Sequence, residues 1–297
     1  MKNRKMKMIG AVLLSLCVVQ AACAGEEPGT AETEAEMPIP GAVFLDENWT
    51  YAGNSMIHTG AAEMYLARED SGADRKNITV CVNAGHGTSG ASDVRTLSHP
   101  DGTPKVTGGT NAEGAVYSSA ISTGTTFPDG TTEASANLRV AIELKGLLLS
   151  DGYDVLMIRE SDDVQLDNIA RTVIANNCAD LHVAIHFDST ESDKGAFYCS
   201  VPNVDSYLAM EPVASCREGH EALGRALIEG FQECGYALYG QGALEMDLTQ
   251  TSYSTIPSVD IEVGDRASDH SSDACAGYAR ALKKGIDHFA ERVLVLR

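Results

Sequence analysis

The stretch LHVAIHFD spans residues 181–188, where five apolar residues are interrupted by two histidines and followed by an aspartate. A short, largely apolar run of this kind predicts a strand that is buried on both faces. His182 and His186 lie on the same face because side chains alternate along a strand. We expect His182, deeper in the strand, to be a hydrogen-bonded core residue. His186 lies at the strand end, where a ligand can reach it.

Similar runs alternate with helical patterns on both sides of this stretch. Strands are predicted at residues 78–82, 153–158, 181–187, 195–201 and 258–263, and helices at residues 133–150, 166–177, 220–234 and 273–293. Strands separated by helices predict an α/β fold with a twisted, largely parallel mixed sheet and helices on both faces. Functional residues are then expected at the strand ends and in the loops that follow them.

The charge balance excludes one class of function. The chain has 297 residues, with 22 Lys and Arg against 42 Asp and Glu, and a net charge of −20. Nucleic-acid binding needs clustered cations that replace the counterions of the phosphates, so no nucleic-acid partner is expected. Hydrophobic residues at 43% and charged residues at 22% are typical of a globular protein.

Residues 1–23 have the three parts of an export signal: four cations, an uncharged apolar run, and small residues before Cys23. The protein is therefore expected outside the cytoplasm. Small residues before a cysteine suit acylation of Cys23, which would anchor the chain to the outer face of the membrane, although Gln20 departs from the usual pattern. Cleavage near Cys23 without acylation, which would release the protein, is the alternative.

Three further regions follow the signal. Residues 24–41 are acidic and predict a flexible linker. Residues 42–76 contain the only tryptophan, Trp49, and predict an extension that packs on the main domain. Residues 77–297 form that domain. The sequence predicts no particular oligomeric state.

An insertion at residues 88–132 lies between the first strand and the first helix. It has 7 Gly and 16 Ser or Thr among its 45 residues. Loops of this length are uncommon in compact domains and are usually functional. The insertion could line, narrow or gate a cleft.

The cysteines leave alternatives open. Cys81 and Cys178 lie in or beside apolar runs and are expected in the core. A disulfide is possible in an exported domain, but its pairing does not follow from sequence. The candidates are Cys199, Cys216, Cys234 and Cys275.

Three residues besides His186 suggest chemistry. His86 follows the first strand between two glycines, which expose it, although such a histidine can also be structural. Glu133 opens a helix, where a metal ligand and simple complementation of the helix dipole are both reasonable. Glu262 follows Asp260 in a β-branched strand, so either both face solvent on an edge strand or one points into a site.

These residues stand in five ordered motifs: NAGHG at 83–87, Glu133 with Asn137-Leu138, Arg171 with Ala175-Asn176, AIH at 184–186 and IEVG at 261–264. The set resembles the zinc-dependent N-acetylmuramoyl-L-alanine amidases over about residues 77–293. By this resemblance, His86, Glu133 and His186 match the family's zinc ligands, and Glu262 matches its catalytic glutamate.

The resemblance implies a Zn²⁺ hydrolase that cuts the amide between N-acetylmuramic acid and L-alanine in peptidoglycan. Two imidazoles and one carboxylate leave a coordination position open, as in catalytic zinc sites. The implied general base is Glu262. Two alternatives are a non-catalytic peptidoglycan-binding protein of the same fold and a zinc peptidase that acts within the stem peptide.

Several residues are expected to have lesser roles. Thr88 replaces a common glycine, and Phe187-Asp188-Ser189 replaces a small residue and an asparagine. Asp188 is expected to stabilise a turn, with a substrate contact as the alternative. His99 is expected to be an exposed loop residue. The residues expected to be solvated or without a special role are Asp162, Asp163, Asp265, His220, His270 and His288.

The export signal leads to a first prediction. We expect protein recovered from its producing cells to lack about the first 22 residues, because export signals are cleaved. Mass spectrometry of the mature N-terminus tests this and distinguishes acylated Cys23 from a free terminus. A chain that still begins at Met1 would contradict the export signal.

Overall fold

The computed structural model describes residues 41–67, 73–109 and 111–294. The predicted export signal and residues 24–40 of the predicted linker lie outside these described residues. No described helix is long and apolar enough to cross a membrane.

The described residues form ten strands and six α-helices. The strands are β1 (Gly41–Val43), β2 (Ala62–Tyr65), β3 (Thr79–Ala84), β4 (Arg95–Leu97), β5 (Tyr117–Ser119), β6 (Asp154–Met157), β7 (Leu181–Asp188), β8 (Ala196–Ser200), β9 (Leu238–Glu245) and β10 (Ser258–Asp265). The helices are α1 (Glu133–Ser150), α2 (Asn168–Cys178), α3 (Asp205–Leu208), α4 (Val213–Glu233), α5 (Thr249–Tyr253) and α6 (Ser272–Phe289).

Eight strands form one sheet in the order β1-β2-β6-β3-β7-β10-β8-β9. The four central strands β6, β3, β7 and β10 are mutually parallel, whereas β2 and β8 join them in the antiparallel direction. The predicted α/β fold with a largely parallel mixed sheet is therefore confirmed. β10 lies between β7 and β8, so the alternative of Asp260 and Glu262 on an edge strand is wrong.

The two faces of the central strands have different character. One face carries the main apolar core, which is built from alternate residues of the strands together with side chains of α1, α4 and α6. Val183, Ile185 and Val259 belong to this face. The opposite face of β7 and β10 presents His182, His186 and Glu262. On β3 and β6 the second face packs against α2 in a smaller apolar cluster. Since polar side chains are costly to bury without partners, the part on β7 and β10 requires hydrogen-bond or ligand partners.

Residues 41–65 extend the sheet at one edge. β1 pairs with β2, and β2 pairs antiparallel with β6. Trp49 packs against a buried cluster that includes Ile169, Val173 and Tyr253. The N-cap Asp167 of α2 ties this segment down, since its carboxylate accepts hydrogen bonds from the backbone of Met56 and Ile57 as well as from Ala170.

Sequence patterns missed some elements for local reasons. β9 contains Gly240 and Gly242, both with positive φ, which interrupt its apolar residues, so it lacks a strand signature. α4 begins at Val213 rather than at residue 220 because its first two turns are largely polar. The short strands β4 and β5 form a hairpin within the insertion, which therefore has regular structure.

The cysteines carry free thiols throughout the described residues, so none of the possible disulfides is formed there. Cys81 is fully buried, as predicted, and Cys178 is half-buried.

Candidate metal centre

Three separate elements bring the predicted site residues together. His86 follows the end of β3, His186 lies near the end of β7, and Glu133 is the first residue of α1. The parallel pairing of β3 with β7 places the ends of these two strands side by side. Glu262 joins the group because it is the register partner of His186 on β10.

The donor atoms of the first three residues converge. His86 Nε2 lies 2.8 Å from Glu133 Oε1, and His186 Nδ1 lies 3.1 Å from the same oxygen. The two histidine nitrogens are 3.1 Å apart, and their rings are nearly perpendicular at 88°. These three side chains form the only group of such residues within the described part of the chain that could hold a metal ion.

The tautomer of His86 follows from its second nitrogen. His86 Nδ1 lies 2.8 Å from the backbone carbonyl oxygen of Ser122, which can only accept a hydrogen bond. Nδ1 therefore donates to Ser122, and Nε2 is the nitrogen that would bind a metal ion once it carries no proton. This is the state in which an imidazole binds a metal.

Glu133 is held in place by backbone amides. Thr125 N donates to Oε2 at 2.8 Å and Phe187 N donates to Oε1 at 3.3 Å. Burial alone would raise the pKa of Glu133, but His86 and His186 outweigh it and keep the pKa well below its usual value. Glu133 is thus a buried anion, and a buried anion between imidazoles favours a cation.

His186 shows the reciprocal effect. Burial would lower its pKa, yet the hydrogen bond and charge of Glu133 outweigh burial and raise the pKa of His186 to about 9. Positive charge at this point of the cluster is therefore strongly favoured.

Two buried arginines shape the loop that carries His86. Arg171 donates to the carbonyl oxygens of Ala84 and His86, at 3.2 and 2.6 Å. Arg159 donates to the carbonyl oxygens of Ala84 and Gly85, each at 2.9 Å. These bonds support the left-handed conformation of His86, whose φ is 64°. Arg171 occurs in a motif quoted above, whereas nothing in the sequence singled out Arg159.

Two glycines leave room for the cluster. A Cβ atom on Gly85 would lie 2.1 Å from His186 Cε1. A Cβ atom on Gly124 would lie 2.6 Å from His86 Cδ2 and 2.8 Å from Glu133 Oε2. Neither position therefore accepts a side chain unless the cluster moves.

The donor set fits a zinc ion. Ligand atoms about 2.0–2.2 Å from a tetrahedral zinc lie roughly 3.3 Å from one another, so the observed separations need to widen only slightly. Two imidazole nitrogens and one carboxylate oxygen are typical ligands for that ion. His86, Glu133 and His186 would hold it.

Glu262 and Asp260 face the same cleft. Glu262 Oε2 and Asp260 Oδ1 are buried without a hydrogen-bond partner among the described residues. Burial raises the pKa of Glu262 to about 8, although His186 opposes the shift. Burial also raises the pKa of Asp260. Each of these two carboxylate oxygens can therefore accept a hydrogen bond from a ligand.

The cleft has a volume of about 560 Å³. The cluster lies in its wall, and the insertion lines it with residues that include Lys105, Asn111 and Ser122. Beyond the cluster, the lining includes Cys199 of β8, Met246 just after β9 and Gln250 of α5. The insertion therefore forms part of the cleft, which is one of the roles expected for it.

Other expectations have mixed outcomes. His182 is a core histidine, as predicted: it is fully buried, contacts Asn83 at 3.2 Å, and burial lowers its pKa to about 3. Asp188 stabilises a turn through Thr190, whose backbone N and Oγ1 both donate to it, and it also lines the cleft. His270 and Asp163 lie outside the cleft lining.

Two expectations are wrong. His99 is buried rather than exposed, with Nε2 2.9 Å from Asp247 Oδ1 and Nδ1 2.9 Å from Thr103 Oγ1. Asp265 is fully buried and accepts hydrogen bonds from the backbone of Lys194 and Ala267. In both cases, distant segments that local sequence cannot reveal cover the side chain.

Comparison with known proteins identifies the family. The sequence model described as N-acetylmuramoyl-L-alanine amidase matches residues 80–276, about two thirds of the chain. The chain therefore belongs to the N-acetylmuramoyl-L-alanine amidase family, as the resemblance predicted. As a member of this family it is an amidase whose substrate is the cell-wall polymer peptidoglycan.

Solved structures share the fold. An N-acetylmuramyl-L-alanine amidase from Mycobacterium smegmatis is 17% identical with a TM-score of 0.58, covering 72% of this chain and 97% of its own. The apo form of the corresponding Mycobacterium abscessus enzyme is 19% identical with a TM-score of 0.57, covering 73% and 99%. An amidase of Nostoc punctiforme is 16% identical with a TM-score of 0.52, covering 74% and 100%. A search of curated proteins gives no match.

The contact of Gly85 with His186 leads to a prediction. Gly85→Ala should lower kcat/KM by about 100-fold, because the added methyl group displaces the His186 ring and small misplacements are costly at reacting centres. Gly146→Ala is the matched control, since a Cβ atom there meets nothing within 4 Å. Hydrolysis of purified peptidoglycan measures both variants. Equal activities would show that the close approach at Gly85 is unimportant.

Proposed function

We propose that this protein is a zinc-dependent hydrolase that cuts the amide between N-acetylmuramic acid and L-alanine in peptidoglycan. The observation that carries this proposal is the convergence of His86, Glu133 and His186 beside a buried, unpartnered carboxylate oxygen of Glu262. Family membership favours this reaction over cleavage within the stem peptide and over binding alone.

The proposed roles follow from the positions of the side chains. His86, Glu133 and His186 hold the zinc ion, which when bound acts as a Lewis acid on the substrate carbonyl and acidifies water. Glu262 accepts the proton of the attacking water as the new bond to the carbonyl carbon forms. The same carboxyl group then passes the proton to the nitrogen of L-alanine, which leaves as an amine.

The surrounding residues prepare these steps. Ser122 fixes the tautomer of His86 through its carbonyl oxygen, and Thr125 and Phe187 fix Glu133. The wall of the cleft at the insertion excludes bulk water from one side of the cluster, which strengthens its electrostatic interactions.

We further propose that the protein acts outside the cytoplasm, either released or anchored through Cys23. Cleavage of the export signal near Cys23 takes away four cations and leaves 18 Lys and Arg against 42 Asp and Glu, a net charge of −24. A chain this acidic is repelled by anionic wall polymers. Substrate binding must then depend on the cleft and its ion.

Removal of metal provides the first test. Dialysis against a chelator should abolish hydrolysis, and zinc should restore it together with about one bound ion per chain. His86→Ala should lose the ion because one ligand is gone, whereas His270→Ala, outside the cleft, should keep it. Elemental analysis with a peptidoglycan assay measures both quantities. Full activity after complete loss of metal would exclude zinc dependence.

The role of Glu262 provides the second test. Glu262→Gln should keep its bound zinc but lower kcat by about 10²–10⁴-fold, because the amide cannot act as a base. Glu143→Gln, on the exposed face of α1, is the control. The assay identifies the amino termini released from purified peptidoglycan. L-alanine termini are expected, other termini would indicate a peptidase, and none would indicate a binding protein.

A further inference from the structure

Beyond the metal cluster, the cleft is lined by a pair of oppositely charged residues, Lys105 and Asp260. Lys105 comes from the insertion, and its side chain is only 4% exposed. Asp260 comes from β10, two residues before Glu262, and points to the same face of the sheet. Both residues line the cleft.

A buried hydrogen-bond network holds Lys105 in place. Asp247 accepts hydrogen bonds from His99 Nε2 at 2.9 Å and from the backbone of Val106 at 2.7 Å. Lys105 Nζ donates to the backbone carbonyl oxygen of Asp247, and the Asp247 carboxylate is 3.8 Å away. Because Asp247 binds both the ammonium group and the neighbouring backbone of Val106, the ammonium group has a defined position.

Lys105 and Asp260 both have unused hydrogen-bonding capacity. An ammonium group has three donors, and among the described residues Nζ donates only to the carbonyl oxygen of Asp247. Asp260 Oδ1 has no partner there. Burial lowers the pKa of Lys105, while Asp247 and Asp260 oppose that shift. A ligand anion at this point would stabilise the charged form further.

Lys105 is also the cation of the cleft that remains available. The other permanently charged cation of the lining is Arg171, whose guanidinium group is occupied by carbonyl and side-chain oxygens of the His86 loop and of Leu166. In a chain with a net charge of −20, an anionic substrate needs a local positive charge to bind. Away from the proposed zinc ion, Lys105 is the residue of the lining that can supply this charge.

We propose that Lys105 binds a free carboxylate of the peptide that leaves in the reaction, while Asp260 accepts an N–H group of the same peptide. This subsite rests on the proposed function, because it places the leaving peptide on the Lys105 side of the cluster. Lys105 is then a specificity-determining residue contributed by the insertion. The His99–Asp247 pair is the positioning element behind it.

The experiment compares two substrates: N-acetylmuramoyl-L-alanyl-D-glutamate and the same molecule with both peptide carboxylates converted to carboxamides. The zinc-loaded wild-type protein should have a KM about tenfold lower for the carboxylate form, as expected for a charge-assisted hydrogen bond. Lys105→Met should remove this preference by raising KM for the carboxylate form alone, with kcat little changed. The two mono-amides then identify the carboxylate that is bound.

Two further variants separate recognition from stability. Lys105→Arg keeps a cation and should keep the preference for the carboxylate form. Lys145→Met removes an ion-paired lysine outside the cleft, whose side chain is 13% exposed, and should leave the KM ratio unchanged. An equal effect of Lys105→Met on both substrates, or a wild-type protein with equal KM values, would overturn the proposal.

A binding measurement keeps this proposal distinct from the proposed function. Calorimetric titration of L-alanyl-D-glutamate and its diamide into the wild-type protein requires no catalysis. Tighter binding of the carboxylate form that Lys105→Met abolishes supports the subsite even if no muramoyl amide is cut. Equal binding of the two peptides rejects the subsite, even if hydrolysis proceeds as proposed.

Discussion

A buried carboxylate between two imidazoles is the interaction on which the arrangement of this cleft depends. Glu133 can occupy its position only if α1 begins beside the ends of β3 and β7 and if Thr125 and Phe187 supply their amides. A buried anion without these partners would be very costly. The parallel register of the central strands, the start of the helix and the last residues of the insertion are therefore linked at a single point. A cation bound there would stabilise the strand register, the start of α1 and the end of the insertion together, since metal binding to a preformed donor set adds to folding stability.

The polar face of the sheet follows from the same constraint. His182, Asn83 and Ser258 satisfy one another beneath the site, so the deeper part of the face is closed by hydrogen bonds. Glu262 and Asp260 are the exceptions, with one buried oxygen each that lacks a partner. Unsatisfied buried groups are rare in folded proteins, and each needs an explanation such as a catalytic role or a bound ligand. The side chains whose hydrogen bonds are satisfied therefore support the sheet, and the two carboxylates with an unpartnered oxygen line the reactive cleft.

The insertion is held in the domain by contacts with residues that are distant in the sequence. His99 and Asp247 are 148 residues apart and form a buried pair, and Lys105 joins the same network. Ser122 and Gly124, near the end of the insertion, touch the metal cluster directly. A segment rich in Gly, Ser and Thr thus acquires structure from its neighbours, because its own sequence has too few apolar residues to form a core. Its contribution is the wall of the cleft and one buried cation.

By itself, the sequence determined the alternation of strands and helices, the class of fold and the family. It also determined the four residues that could carry the chemistry, because periodicity and residue types at strand ends are local signals. α1 spans residues 133–150 in both the prediction and the structure, and His86, Glu133, His186 and Glu262 meet in one cleft. Only the tertiary structure decided that His99 and Asp265 are buried, that β10 is an interior strand and that Lys105 reaches the cleft. Each of these depends on which distant segment covers a side chain, and burial of that kind is settled by packing between elements rather than by neighbouring residues.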